Sequence, residues 1–156
     1  LKKVHNLVVG ERTAEEIKIR IGSAFPIDDF DMNSIDVRGL HLLSGLPRSI
    51  NLKAGDLREA MSEPLSKIVD AVKRTLERTP PELAADIVDR GIMLAGGGAL
   101  VRGISDLLSH ETGIFTHVAE DPLLCVVNGC GLVLDDFQRL KRVVDTPDFV
   151  RNTLRD

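Results

Sequence analysis

Three consecutive glycines at residues 96–98 constrain the fold of this chain more than any other feature of its sequence. The apolar run at residues 92–94 precedes them and is typical of a short buried strand. Apolar residues then recur at helical spacing, at Ala99, Leu100, Ile104, Leu107 and Leu108. The sequence therefore predicts a strand, a tight glycine turn and a helix.

This glycine turn is costly, because three glycines lose backbone entropy on folding and supply no side-chain packing. Such a turn suits a place where the backbone bends sharply and another group approaches closely. The N–H groups in the first turn of the helix would favour a polar or anionic group, and a nucleotide is the natural candidate. The alternative is a tight turn without a ligand, and the glycines alone leave both interpretations open.

The C-terminal half of the pattern, residues 91–138, predicts a β-α-β-α unit. A strand is expected at residues 114–119, and Asp121 and Pro122 are expected to begin a last helix that contains Gly129 and Gly131. Two glycines inside a helix indicate that something packs closely against them. Two parallel strands are too few for a stable α/β layer, and the chain does not begin with Met, so we expect a fragment of a longer protein.

The N-terminal half predicts a helix, a β-hairpin and a long helix. Capping boxes at Thr13 and Thr79 predict helix starts, and residues 34–52 alternate as a hairpin does. Helical spacing returns at residues 56–78, where Pro64 is expected to kink or split the helix. An acidic stretch at residues 28–31 is expected to be a solvated loop, since it lacks the spacing of a calcium site.

Composition and spacing exclude several functional classes. The net charge of −4 gives no electrostatic case for nucleic acid binding. The sequence lacks a P-loop, a G-x-S-x-G nucleophile motif and metal-ligand spacing among its histidines, so no catalytic or metal-binding residue is predicted. Cys125 and Cys130 lie five residues apart on one predicted helix and cannot pair with each other, which suits a reducing cytoplasm.

Several longer motifs carry a family resemblance. They are GERTAEEIK at residues 10–18, IGSAFP at 21–26, GLPR at 45–48, TPPELAADI at 79–87, RGIMLAGGGAL at 90–100, and the later ETGI and AEDPL. Together, from near Leu7 to near Leu134, they resemble the MreB family of bacterial actin homologues. The resemblance implies an α/β fold of the actin/Hsp70-like, ribonuclease H-like type, of which this chain is the C-terminal half. Residues 1–78 would form subdomain IIB, residues 79–145 the β-α-β-α part of subdomain IIA, and residues 146–156 a tail.

The same resemblance implies a nucleoside site. Its residues would be Glu15, Glu16, Ile17 and Lys18 of the first helix and Gly96, Gly97, Gly98 and Ala99 of the turn. Glu15 and Lys18 would contact the ribose and adenine of ATP or ADP, and the turn would cradle the nucleoside. The alternative for Glu15 and Lys18 is a surface ion pair worth a few tenths of a kcal/mol. The phosphate loops and the ligands of Mg²⁺ have no match in this chain.

The function implied by the resemblance is that of a cytoskeletal protein. The parent would bind ATP with Mg²⁺ and polymerise into filaments that direct cell-wall synthesis and rod shape. Its partners would be further copies of itself and the wall-synthesis proteins RodZ, MreC and MreD, at the inner face of the cell membrane in the cytoplasm. Membrane contact would come through parts outside this chain. Two alternatives are another ATPase of the same superfold, such as a sugar kinase or chaperone, and an adaptor that uses this half for protein contacts.

We expect this chain by itself to hydrolyse no ATP and to form no filaments. Nucleoside contacts bind substrate and transition state alike, so they lower no barrier. A filament subunit also needs two complementary surfaces, one at each end. Phosphate release and pelleting assays with ATP and Mg²⁺ test both expectations, and turnover or sedimenting polymer would contradict them.

Overall fold

A computed structural model describes residues 1–144, and within it two hydrophobic cores lie on two separate sheets. The elements in chain order are α1 (Lys2–His5), β1 (Leu7–Val8), α2 (Glu11–Ile21), α3 (Asp28–Asp31), β2 (Ser34–His41), β3 (Pro47–Lys53), α4 (Ala54–Glu77), α5 (Pro81–Arg90), β4 (Ile92–Leu94), a 3₁₀ turn (Gly97–Leu100), α6 (Ile104–Thr112), β5 (Thr116–Val118), α7 (Cys125–Asp135) and α8 (Phe137–Val144). The predicted tail at residues 146–156 lies outside the described residues.

The first sheet is antiparallel, with strand order β1-β2-β3, and it confirms the predicted hairpin. Val37 lies opposite Ile50 in this hairpin, and their side chains share the face that packs inward. Helix α2 covers that face. The resulting first core comprises Leu7, Ile17, Ile21, Val37, Leu52 and Ala54, each no more than 5% exposed.

The second sheet consists of β4 and β5, which pair in parallel as predicted, with Met93 opposite His117. Its core lies between α4, α6 and the segment that follows α2. The buried members of this second core are Ala24, Leu65, Val69, Ile104 and Leu108. Helix α4 therefore supplies side chains to both cores, and a subdomain boundary at residue 78 stays a prediction.

The predicted capping boxes are wrong. Helix α2 begins at Glu11 after an extended Gly10, so Thr13 lies inside it. Glu11 already places a carboxylate at the positive end of the helix dipole. The hydroxyl of Thr79 donates to the carbonyl of Thr75 at 2.8 Å, so Thr79 finishes α4 instead of starting α5. Helix α5 begins with Pro81 at its first position, where a missing N–H costs nothing.

Pro64 does not split the long helix, since α4 runs without interruption from Ala54 to Glu77. The proline removes one helical hydrogen bond, whose acceptor would be the carbonyl of Ala60. Both Pro64 and Ala60 are exposed, so water can satisfy that carbonyl. The opposite face, with Leu65 and Val69, stays in the second core and holds the helix together.

The acidic segment predicted as a loop forms the short helix α3. Its Asp31 forms an ion pair with Arg58 of α4, in which both side chains are about three-quarters buried. The pair explains why this segment folds back on α4 instead of extending into water. A second ion pair joins α4 to α6, where Lys73 Nζ lies 2.6 Å from Glu111 Oε2.

The last predicted helices begin later than expected. Residues 97–100 form a 3₁₀ turn, and α6 begins only after Gly103, whose φ of 71° is left-handed. Helix α7 begins at Cys125 and not at Asp121, and Cys125 and Cys130 are free thiols, as predicted. Within residues 1–144 nothing lies within 4 Å of a Cβ built on Gly129 or Gly131, so the expected close packing there is wrong for this part of the chain.

Gly91 ends α5, as predicted, with φ 80° and ψ −172°, a backbone region that only glycine visits readily. A Cβ there would lie 2.5 Å from the carbonyl oxygen of Phe115, the residue just before β5. We expect Gly91→Ala to lower the free energy of unfolding by about 1–3 kcal/mol. Gly55→Ala is the matched control, because its Cβ meets nothing within 4 Å in a helix, and it should raise stability by about 0.5 kcal/mol. Urea unfolding of both variants checks this, and equal stabilities would contradict it.

The bond from Lys73 holds the pKa of Glu111 below its ordinary value of 4.5, and the positive charge of Lys73 lowers that pKa further. A carboxylate with a lowered pKa in the folded state stabilises the fold above its unfolded pKa, and this contribution is lost as pH falls through the folded pKa. We therefore expect wild type to exceed Glu111→Gln in stability at neutral pH, with the difference vanishing at pH values well below 4.5. Urea midpoints across this range test it. Glu63→Gln, which breaks a pair more than 70% exposed on both sides, should show a smaller change.

Candidate functional site

A cleft of about 400 Å³ lies between the C-terminal half of α2 and the glycine turn. Its lining residues are Glu15, Lys18, Ile19, Gly22, Gly97, Leu100, Val101, Arg102 and Leu123. The volume falls within the range of small-molecule pockets. Its walls combine apolar side chains with the charged side chains of Glu15, Lys18 and Arg102.

Helix α2 places Glu15 and Lys18, two of the charged residues that line the cleft, on one side of it. Ile17 and Ile21 face the first core, while Glu15, Lys18 and Ile19 lie on another side of the helix and line the cleft. Lys18 Nζ lies 2.7 Å from Glu15 Oε2, and the two side chains are 40% and 57% exposed. This is the ion pair that the sequence left open as an alternative to binding. It also keeps a carboxylate acceptor and an ammonium donor together at the rim of the cleft.

The glycine turn forms the opposite wall. The N–H of Gly96 donates to the carbonyl of Pro122 at 2.6 Å, which fixes the turn against the segment after β5. Gly96 itself has φ 81° and ψ 175°, again a conformation that favours glycine. A Cβ on Gly97 would lie 3.6 Å from Leu123 Cδ2, an ordinary contact distance. The absence of a side chain at Gly97 leaves space in the cleft, although the backbone conformation there does not require glycine.

The structure brings Glu15, Lys18 and Gly97 together at the cleft, but not the other predicted site residues. Ile17 is 3% exposed in the first core, and Ala99 is 7% exposed beneath the turn. Glu16 lines a separate hollow with Arg20 and pairs with Arg12 at 3.3 Å. Gly96 and Gly98 shape the turn but do not line the cleft. The physical reason is helical periodicity, because consecutive residues cannot share one face.

Sequence reasoning missed Arg102 and the apolar walls. Arg102 Nη1 donates to the carbonyl of Ile19 at 2.7 Å and to that of Arg20 at 3.1 Å. Its guanidinium also lies 4.7 Å from the centre of the Phe30 ring. These partners are two backbone carbonyls and a ring far away in sequence, so no local pattern could have identified them. Leu123 was missed because it belongs to a turn that the sequence assigned to a helix.

The cleft can offer a ligand both apolar contact and hydrogen bonds. Leu100, Val101 and Leu123 offer apolar contact, Glu15 can accept hydroxyl hydrogens, and Lys18 can donate. Across residues 1–144 there is no group of three or more His, Cys, Asp or Glu side chains that could hold a metal ion. No helix in that range is both long and apolar enough to cross a membrane.

Comparison with known proteins gives a consistent result. The family model described as MreB/Mbl protein matches residues 1–142. The cell shape-determining protein Mbl of Bacillus subtilis is 45% identical over 142 residues, which cover 91% of this chain and 42% of Mbl. The cell shape-determining protein MreB of Escherichia coli is 49% identical over 135 residues, which cover 86% of this chain and 38% of MreB. The chain thus spans less than half the length of these relatives.

A solved structure also matches in fold. The crystal structure of MreB5 of Spiroplasma citri bound to ADP superimposes with a TM-score of 0.83 at 33% identity. The match covers 92% of this chain and 43% of that protein. The fold is therefore part of an actin-like α/β fold, as the sequence predicted.

Proposed function

The chain belongs to the MreB/Mbl family, and on that premise we propose that it forms the nucleoside-contacting part of an actin-like protein that binds ATP or ADP. The observation that carries the proposal is the meeting of Glu15, Lys18 and Gly97 around one cleft. Membership in the family decides against the sugar kinase and chaperone alternatives. A relative with the same fold has been crystallised with ADP, which further supports a nucleotide as the ligand.

Each wall of the cleft has a distinct role in this proposal. The carboxylate of Glu15 accepts ribose hydroxyls, and the ammonium of Lys18 donates to an acceptor on the base. Gly97 lets the base approach the backbone, while Leu123 packs on it. The side chains of Glu15 and Lys18 fit a nucleoside, because each is more than a third exposed. They can therefore give up their mutual ion pair and contact a ligand instead. The residues described do not fit Mg²⁺, so its ligands would lie elsewhere in the parent.

The parent protein would use this site in a cytoskeletal role. We propose that it assembles with further copies of itself into filaments and that it acts in determining cell shape, the role that the names of its relatives state. Location at the inner face of the cell membrane and contacts with RodZ, MreC and MreD stay predictions from the family resemblance. The adaptor alternative differs in one measurable respect, since an adaptor would not need to bind nucleotide.

Gly97→Val tests the cleft directly. The added methyl groups narrow the space for the base, while a Cβ at this position lies 3.6 Å from Leu123 Cδ2, an ordinary contact distance. We expect the affinity for ADP, measured by calorimetry on this chain, to fall by about tenfold, equivalent to about 1.4 kcal/mol. Circular dichroism and the urea midpoint should show that the fold survives.

Gly129→Val is the matched control, since it adds the same side chain to an open position of α7 that does not line the cleft. It should bind ADP as wild type does. Equal affinities of wild type and Gly97→Val would place the nucleotide elsewhere. A full-length parent protein that binds no ADP would favour the adaptor.

A further inference from the structure

Arg102 contacts both walls of the cleft. Its side chain bonds the carbonyls of Ile19 and Arg20 at the end of α2, at 2.7 and 3.1 Å. The last carbonyls of a helix have no partner within it, and a cation there also interacts favourably with the helix dipole. Arg102 therefore caps α2 from another part of the chain. The capped turn is the one that carries Lys18 and Ile19 into the cleft.

The backbone of Arg102 reinforces this link. Its carbonyl accepts the N–H of Ala24 at 2.7 Å, and Arg102 forms an isolated parallel bridge with Ser23. The neighbouring Gly103 adopts a left-handed φ of 71°, and a Cβ there would lie 3.0 Å from Phe25 Cβ. The segment after α2 thus runs tightly beside residues 101–103, which follow directly on the glycine turn.

The guanidinium connects a third element. It lies 4.7 Å from the ring centre of Phe30, and Phe30 packs against the first core together with Ile35 and Ile50 of the hairpin. The guanidinium of arginine is a planar fork that can bond two carbonyls at its edge while its face stacks on a ring, a geometry that the ammonium of lysine lacks. The side chain of Arg102 therefore contacts α2 and α3, while its backbone belongs to the wall that follows the glycine turn.

We propose that Arg102 is a positioning residue that couples occupancy of the cleft to the placement of α2 and of the hairpin sheet packed on it. The inference rests on the proposed function, because the ligand that bridges the two walls is taken to be a nucleotide. Both hydrogen bonds of the guanidinium go to backbone carbonyls of α2, so Arg102 acts on the ligand through the position of Lys18. A ligand that contacts both walls strengthens this link, and by reciprocity loss of the link weakens ligand binding.

The test is a double-mutant cycle for ADP binding with Arg102→Met and Lys18→Met, measured by calorimetry on the full chain. Arg102→Met alone should weaken ADP binding by about fivefold or more. In the Lys18→Met background the same change should have little further effect, because the group that Arg102 positions is already gone. A purely structural role, or a direct contact of Arg102 with the ligand, would instead make the two effects additive.

Two further variants keep the test decisive. Arg102→Lys retains the charge and should recover part of the affinity, and it carries the cycle if Arg102→Met fails to fold. Arg12→Met lies on the same helix with a side chain 92% exposed and should bind as wild type does. Hydrogen exchange should show that ADP protects the amides of residues 22–25 in wild type but not in Arg102→Met.

The outcomes separate the two proposals. Unchanged affinity in Arg102→Met, or additive effects in the cycle, would overturn the coupling while leaving nucleotide binding intact. A wild-type chain that binds no ADP would overturn the proposed function and the coupling with it.

Discussion

Helix α2 packs with one face on the hairpin sheet, and this contact sets the geometry of everything around it. Ile17 and Ile21 are almost completely buried against Leu7, Val37 and Leu52. Three residues beyond the end of the helix, Ala24 is buried in the second core. Because the face toward the sheet is fixed by burial, the remaining faces of α2 have no freedom to rotate. The side of α2 that carries Glu15 and Lys18 therefore faces the glycine turn.

The cleft lies between two walls that are each held in place by contacts outside it. One wall is a helix held by apolar burial, and the other is a turn held by backbone bonds from Gly96 and Ala24. Sites built on regular elements hold their geometry more closely than sites on loops. The carboxylate of Glu15 and the ammonium of Lys18, in contrast, are partly exposed and pair with each other, so they can change partners at little cost. Rigid walls with exchangeable polar groups suit binding and release of a ligand.

Local signals in the sequence predicted the hairpin, both parallel strands and the helix end at Gly91, because turn residues and side-chain periodicity act over a few positions. The capping boxes predicted at Thr13 and Thr79 are wrong because a Thr followed by Glu three residues later can occur inside a helix as well as at its start. The effect of Pro64 could not be judged without knowing that its face of α4 meets water. Of the site, the glycine turn was readable from the sequence as a candidate nucleotide site, and the spacing of Glu15 and Lys18 placed them on one face of a helix. The family resemblance then identified Glu15 and Lys18 as nucleoside contacts. Arg102 was not readable, since its partners are carbonyls that any residue type would provide.

The wide sequence spacing of the second core has a consequence for how the chain acquires its structure. The hairpin closes through a turn of a few residues, so pairing β2 with β3 costs little loop-closure entropy. The second core must join Ala24, Leu65 and Leu108, and the entropy lost on closing a loop grows with its length. Contacts close in sequence therefore form ahead of distant ones. The cleft draws on both ends of that long loop, which makes it a late product of folding, complete only when the distant parts of the chain have come together.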